Sequence, residues 1–245
     1  MVKFVILTEI RTGYKWLANS ICSHPDAFCF GEIFGSDEKV RQQSMFEKPL
    51  IAIKENEDPK DWLKSTVEKW GQNKKALGFK VNYVDGRRIN GQPGFNKWAS
   101  LWKYIIDDYK IIHLTRENLL DRALSELLAS KESNWANEDY KLKLNVDPNH
   151  LLKIMHRSEL WQKEARTMFG EMFEVTYEQM SNPECISNIQ RYLGLTPQTL
   201  TTNQKKQRKH PQSHYIENYN EIYRMLKIHF PCYSHMLDDP IMLLA

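Results

Sequence analysis

A chain of 245 residues with 41% apolar side chains is long enough to bury a core of its own without disulfides or a structural metal. Its 34 lysines and arginines against 31 aspartates and glutamates leave a formal charge of +3, too slight an excess to mark a nucleic-acid binder without a basic patch. Cys22, Cys29, Cys185 and Cys232 form no CxxC or Cys/His spacing suited to zinc, which points to a reducing cytoplasm, and no stretch approaches the roughly 18 apolar residues of a membrane span.

Residues 3–8, Lys-Phe-Val-Ile-Leu-Thr, predict a parallel strand buried on both faces; the run is too short for a signal peptide and leads into a polar turn. After the turn at Gly13, Trp16, Leu17, Ala18, Ile21 and Cys22 recur at helical spacing until His24-Pro25 stops the helix. Short apolar runs at 27–30, ending at Gly31-Glu32, and at 76–81 predict two more strands, and residues 109–115 give the clearest strand of the chain. Leu119, Leu120, Ala123, Leu124, Leu127 and Leu128 then form an apolar helical stripe. A long helix over 151–169, a strand over 173–177 and a helix over 185–193, closed by Gly194 at C′, continue the alternation. Residues 196–214 are polar and basic, and a helical pattern resumes over 215–229. Strands alternating with helices imply crossover connections, hence one α/β domain over 1–245 with a mainly parallel central sheet flanked by helices.

In open parallel sheets ligands gather beyond the carboxyl ends of the strands. Arg11-Thr12-Gly13-Tyr14-Lys15 and the segment that starts at Arg116 both fall there. The first turn is open to two readings. It is an anion site, with helix N–H groups, a glycine and the charges of Arg11 and Lys15, or an ordinary turn whose Thr12 caps a helix and whose cations are solvated. A single glycine and the lack of Ser or Thr after the lysine argue against the usual P-loop arrangement for nucleoside triphosphate hydrolysis.

Taken with Ser23-His24-Pro25 and Gly31-Glu32-Ile33-Phe34, the segment Arg11-Thr12-Gly13-Tyr14-Lys15-Trp16-Leu17 resembles the start of the sulfotransferases that use 3′-phosphoadenosine 5′-phosphosulfate. The likeness is to the bacterial carbohydrate type that acts on trehalose or nodulation factors. It runs on through Gly78-Phe79-Lys80, Arg116, Ser125, Val175-Thr176-Tyr177-Glu178, Arg191-Tyr192-Leu193-Gly194-Leu195, Lys205-Lys206-Gln207 and Ile216-Glu217-Asn218-Tyr219. It implies a P-loop-like sulfotransferase fold and transfer of a sulfuryl group to a hydroxyl of a carbohydrate or small-metabolite acceptor, with no metal. It also implies that Arg11, Thr12, Gly13, Tyr14, Lys15 and Trp16 hold the 5′-phosphosulfate, and that Arg116 and Ser125 hold the 3′-phosphate. Lys205, Lys206 and Arg208 would lie over the nucleotide. A continuous helix from residue 117 would put Ser125 roughly 12 Å along the axis from Arg116, so an irregular segment is expected over 117–120.

Sulfuryl transfer resembles phosphoryl transfer, with spread negative charge between two oxygens in line, so positioning and electrostatics supply most of the catalysis. Lys15 and Arg11 suit the departing oxygen. The resemblance assigns the general base to Glu32, a role that a pKa raised towards neutrality would serve; its alternative is a strand-end glutamate paired with a lysine. His24 is the rival base. Lys80 either helps at the sulfuryl group and acceptor or is solvated. Trp62, Trp70, Trp98, Trp102 and Trp135 are sugar-stacking candidates whose plainer reading is packing. The match departs from the family at Tyr14 and Lys15, where two small hydroxyl residues are usual. That departure leaves open a catalytically weakened chain that binds a nucleotide or a partner, and the run at 205–209 leaves open a nucleic-acid binder. No oligomeric state is indicated.

Overall fold

The computed structural model describes residues 1–33, 58–68, 71, 73–83, 95–133, 139–205 and 209–237. They fall in two compact units. One comprises Met1–Thr115 and Glu164–Asn203, the other Arg116–Lys163 and Gln204–Ala245.

The first unit is built on a sheet of five strands, β1 (Val2–Thr8), β2 (Ala27–Glu32), β3 (Ala76–Asn82), β4 (Lys110–Thr115) and β5 (Phe173–Thr176), in the order β2-β3-β1-β4-β5. Every neighbouring pair is parallel, as the alternation of strands and helices predicts. β1 pairs with β3 along its whole length, from Val2 with Ala76 to Thr8 with Asn82. One face of the sheet, with Phe4, Ile6, Ile112, Leu114 and Val175, packs on Leu17, Ala18 and Ile21 of α1 (Tyr14–Cys22) and on Ile189 in the later helix Pro183–Tyr192. His113 points to the opposite face, where burial lowers its pKa against the opposing pull of Glu174. Its Nδ1 lies 2.9 Å from Glu174 Oε1, and its Nε2 is hydrogen-bonded to the Tyr83 hydroxyl.

β2 carries an irregularity that the apolar pattern does not announce. Cys29 pairs with Gly78, yet Glu32 pairs with Lys80, so three steps along β2 match two along β3. Gly31 absorbs the extra residue at φ 71°. A one-residue slip moves a side chain to the other face of a sheet, and here it sets Glu32 directly against Lys80 on the α1 side.

The second unit is helical. Its core joins α2 (Leu119–Glu132), through Leu120, Ala123, Leu124 and Leu128, to Leu151 and Met155 of the long helix Pro148–Phe169 and to Ile222 and Leu226 of α3 (Tyr219–His229). Two sequence expectations are corrected here. The irregular stretch after Arg116 is limited to Glu117 and Asn118, because the Asn118 side chain accepts from Asp121 N–H and starts the helix at Leu119. The last long helix starts at Tyr219 rather than 215. Tyr215 closes a separate helical turn, and Ile216 is extended in a parallel bridge to Leu144, a long-range contact that overrides the local helical pattern.

Gly31→Ala is expected to lower stability by about 1–2 kcal/mol, the strain of a left-handed residue with a Cβ. Urea denaturation measures it.

Candidate active site

β1 ends between β3 and β4. The chain leaves it for the β3 side and later crosses back to β4, which makes the end of β1 the switch point beyond which open parallel sheets gather ligands. The connection to α1 contains two left-handed residues, Arg11 at φ 68° and Gly13 at φ 84°. Gly13 is required by its backbone and by its surroundings, since a Cβ there would stand 2.5 Å from the Tyr177 ring and 2.9 Å from Met180 Cε.

Thr12 is buried, with its hydroxyl 2.6 Å from Thr8 Oγ1 and 2.9 Å from the Glu9 carbonyl, while Thr8 donates to the Leu114 carbonyl at 2.6 Å. That hydroxyl is committed inside the turn. It does not cap α1, whose N-cap position is Gly13 and which has no side-chain cap and no acidic residue in its first turn. The helix therefore presents first-turn N–H groups and the positive end of its dipole, flanked by Arg11 and Lys15. Burial pushes Lys15 below its ordinary pKa and Arg11 adds to the effect, against the pull of Glu32. An arriving anion relieves that cost. Trp16 is half-buried and packs against the apolar cluster under the sheet.

At the ends of β2 and β3, Lys80 donates to Glu32 Oε1, and Asn82 Nδ2 donates to the same oxygen at 2.6 Å. The Lys80 side chain is 0% exposed and that of Glu32 12% exposed. The solvated reading of Lys80 is thereby corrected, and the pairing left open for Glu32 is observed. Tyr14 covers the pair, because the Lys80 ammonium lies 3.7 Å from the centre of its ring, close enough for a cation–π contact. Where the family pattern has a small hydroxyl residue, this chain has the aromatic face on which its buried lysine rests.

The expectation of a raised pKa at Glu32 is also corrected. Burial alone pushes its carboxyl up, but the charge and hydrogen bond of Lys80, the hydrogen bond of Asn82 and the nearby Lys15 outweigh burial and hold it below the ordinary value. Both hydrogen bonds arrive at Oε1, and no described residue donates to Oε2. His24 is buried with both ring nitrogens engaged. Its Nδ1 accepts from Asp26 N–H at 3.0 Å, so Nε2 carries the proton and donates to the Thr196 carbonyl at 3.1 Å. The rival base is a structural residue.

In the second unit Arg116 is buried and donates from Nη2 to Asp121 Oδ2 at 3.1 Å, and Ser125 is buried with Oγ 3.1 Å from the Tyr140 hydroxyl. Lys205 is exposed, and Lys206 and Arg208 lie outside the described residues. Trp62 and Trp102 are buried in packing; Trp70, Trp135 and the side chain of Trp98 lie outside the described residues, as does Phe34. Asn82 is the residue that sequence reasoning missed. It stands two places after Lys80 on a strand, hence on the same face, and that spacing was the available signal.

No protein-family model matches the chain, and no curated protein matches it by sequence. Among solved structures it is similar to the crystal structure of a sulfotransferase from Alicyclobacillus acidocaldarius, with 13% identity and a TM-score of 0.48 over 97% of this chain and 94% of that one. A likeness this distant assigns no activity. Among the described residues no helix is long and apolar enough to cross a membrane, and no cluster of His, Cys, Asp and Glu is arranged to hold a metal ion.

Removing one partner of a buried pair strands the other. Glu32→Ala, which leaves Lys80 buried without its carboxylate, is expected to cost about 3–5 kcal/mol in urea denaturation. Lys80→Met costs less, because Glu32 keeps Asn82 and some contact with water. The sign of the pH dependence follows from the lowered carboxyl. Its stabilisation is complete above the ordinary value of 4.5 and is lost as pH falls through the folded pKa. In Lys80→Met, carboxyl-labelled NMR is expected to find Glu32 titrating at higher pH than in the wild type.

Proposed function

We propose that the chain is a sulfotransferase that takes the sulfuryl group of 3′-phosphoadenosine 5′-phosphosulfate and passes it to a hydroxyl of a carbohydrate or other small acceptor. The observation that carries this reading is the meeting of two opposite sites. An uncapped, basic helix start suits an anion, and beside it stands a carboxylate with one oxygen held and the other open. The start of α1 suits the phosphosulfate end of the donor, with N–H groups, Lys15 and Arg11. The resemblance assigns the 3′-phosphate to Arg116 and Ser125.

In the transfer, the bond from sulfur to the bridging phosphate oxygen breaks, the bond from sulfur to the acceptor oxygen forms, and the acceptor proton goes to Glu32 Oε2. Lys15 and Arg11 offset the charge gathering on the departing oxygen. A carboxylate held below its ordinary pKa is a weak base but an ionised one, so it aligns the acceptor hydroxyl from the outset. It takes the proton late, once bonding to sulfur has made that oxygen acidic. Lys80, buried under Tyr14, keeps the carboxylate charged and oriented rather than reaching the sulfuryl group itself.

Calorimetric titration with adenosine 3′,5′-bisphosphate is expected to give saturable binding, and no heat at millimolar ligand would sink the reading. Glu32→Gln is expected to keep that binding and to lose transfer of labelled sulfate to any member of a hydroxyl-acceptor panel that the wild type modifies. Retained transfer removes Glu32 from the base role.

A further inference from the structure

Two cysteines of the first unit meet beside the bulge in β2, and the proposed chemistry leaves both unused. Cys22 is the last residue of α1, and Cys29 is the last residue of β2 in regular register with β3 before the slip at Gly31. The Cys22 sulfur accepts from the Cys29 N–H at 3.2 Å and donates to the Cys29 carbonyl at 3.5 Å. β2 stands at one end of the sheet order, so among the described residues a strand flanks it on one side only, and a side chain from α1 serves its backbone.

Giving and receiving at once requires an S–H, because a thiolate accepts but cannot donate. Burial pushes the Cys22 thiol above its ordinary pKa, against the Cys29 N–H and Lys74, and so keeps that proton in place. The next link is Cys29 itself, whose side chain is fully buried in the apolar cluster under α1. Burial raises its thiol, Cys22 adds to the rise, and the Gly31 N–H, within hydrogen-bonding reach of the sulfur, opposes it. Cys22 thus grips the strand just before the left-handed glycine that turns Glu32 towards Lys80. The two ends of α1 then serve the site in different ways. Its first turn presents the N–H groups that suit the phosphosulfate, and its last residue, about 12 Å away along the axis, fixes the strand from which the carboxylate projects.

We infer that Cys22 is a positioning residue for Glu32: acting through the backbone of Cys29, its thiol holds the bulge in the register that sets the carboxylate against Lys80. The inference rests on the sulfotransferase reading above for its kinetic consequence, and the test separates the two. Glu32 is faced by Lys80 and Asn82 of β3 and by Lys15 and Tyr14 of α1, so its titration reports its place among them.

Carboxyl-labelled NMR of the full chain follows that titration in the wild type, Cys22→Ala and Cys22→Ser. In Cys22→Ala, which can neither accept nor donate, the Glu32 midpoint is expected to rise towards the ordinary 4.5 as the carboxylate drifts from its lysine. In Cys22→Ser, whose hydroxyl does both, it is expected to stay at the wild-type value. Transfer to any hydroxyl acceptor that the wild type sulfates is expected to follow. Its kcat falls about tenfold in Cys22→Ala, the order of loss from a displaced reacting group, and is restored in Cys22→Ser, with affinity for adenosine 3′,5′-bisphosphate unchanged in both. A folded Cys22→Ala with an unmoved Glu32 midpoint overturns the inference. So does a serine variant that behaves as the alanine one, since the sulfur then acts by its bulk. If Cys22→Ala does not fold, Cys22→Val fills the volume without a donor or acceptor, and the same rise is expected; an unmoved midpoint there overturns the inference equally. A wild type that sulfates no acceptor fails the reading of the function, while the titrations still decide whether Cys22 places Glu32.

Discussion

The side chain of Lys80 is fully buried, and a cation in that position persists only while something nearby replaces its hydration. Much of the local architecture of the first unit answers this one requirement. The bulge at Gly31 exists in the register that brings Glu32 opposite Lys80. Tyr14 supplies a ring face 3.7 Å from the ammonium. Asn82 satisfies the carboxylate oxygen that the lysine shares. The start of α1 and the ends of β2 and β3 are thus fixed relative to one another by a single buried charge. A residue unusual for its position, Tyr14, becomes intelligible as part of that arrangement.

The same pair divides electrostatic labour among three cations. Lys80 is neutralised within the protein, whereas Lys15 and Arg11 flank a helix end that has no acid in its first turn to offset them. The buried pair gives the site a negative pole of fixed direction, and the helix end gives it a positive one. The proposed group transfer between two oxygens needs that polarity more than it needs a strong base, so a carboxylate with a depressed pKa is compatible with it.

Much of the fold was legible in the sequence because its strands are short apolar runs and its helices carry apolar stripes. Residues 3–8, 76–81 and 109–115 all fall within one residue of observed strands. Glu32, Lys80 and Tyr14 stood out in the sequence too, as types in suggestive places. Their pairing did not, because a bulge is a property of two strands together and Gly31 read simply as the end of a run. The restart of the last helix at Tyr219 was hidden for a similar reason, as Ile216 belongs to a helical pattern locally and to a bridge with Leu144 in space. The hydroxyl of Thr12, facing inward where a donor to an anion was expected, shows the same limit. Sequence spacing places a side chain on an element, and tertiary partners decide where its polar atom points.

That inward hydroxyl has a further consequence. Thr12 is joined to Thr8, and Thr8 to the Leu114 carbonyl on β4, so the turn before α1 is pinned to a neighbouring strand before any ligand arrives. A loop already pinned has little conformational freedom left to lose. An anion meeting it would spend almost none of its interaction energy on ordering backbone, and even a modest set of donors then holds a charged group firmly.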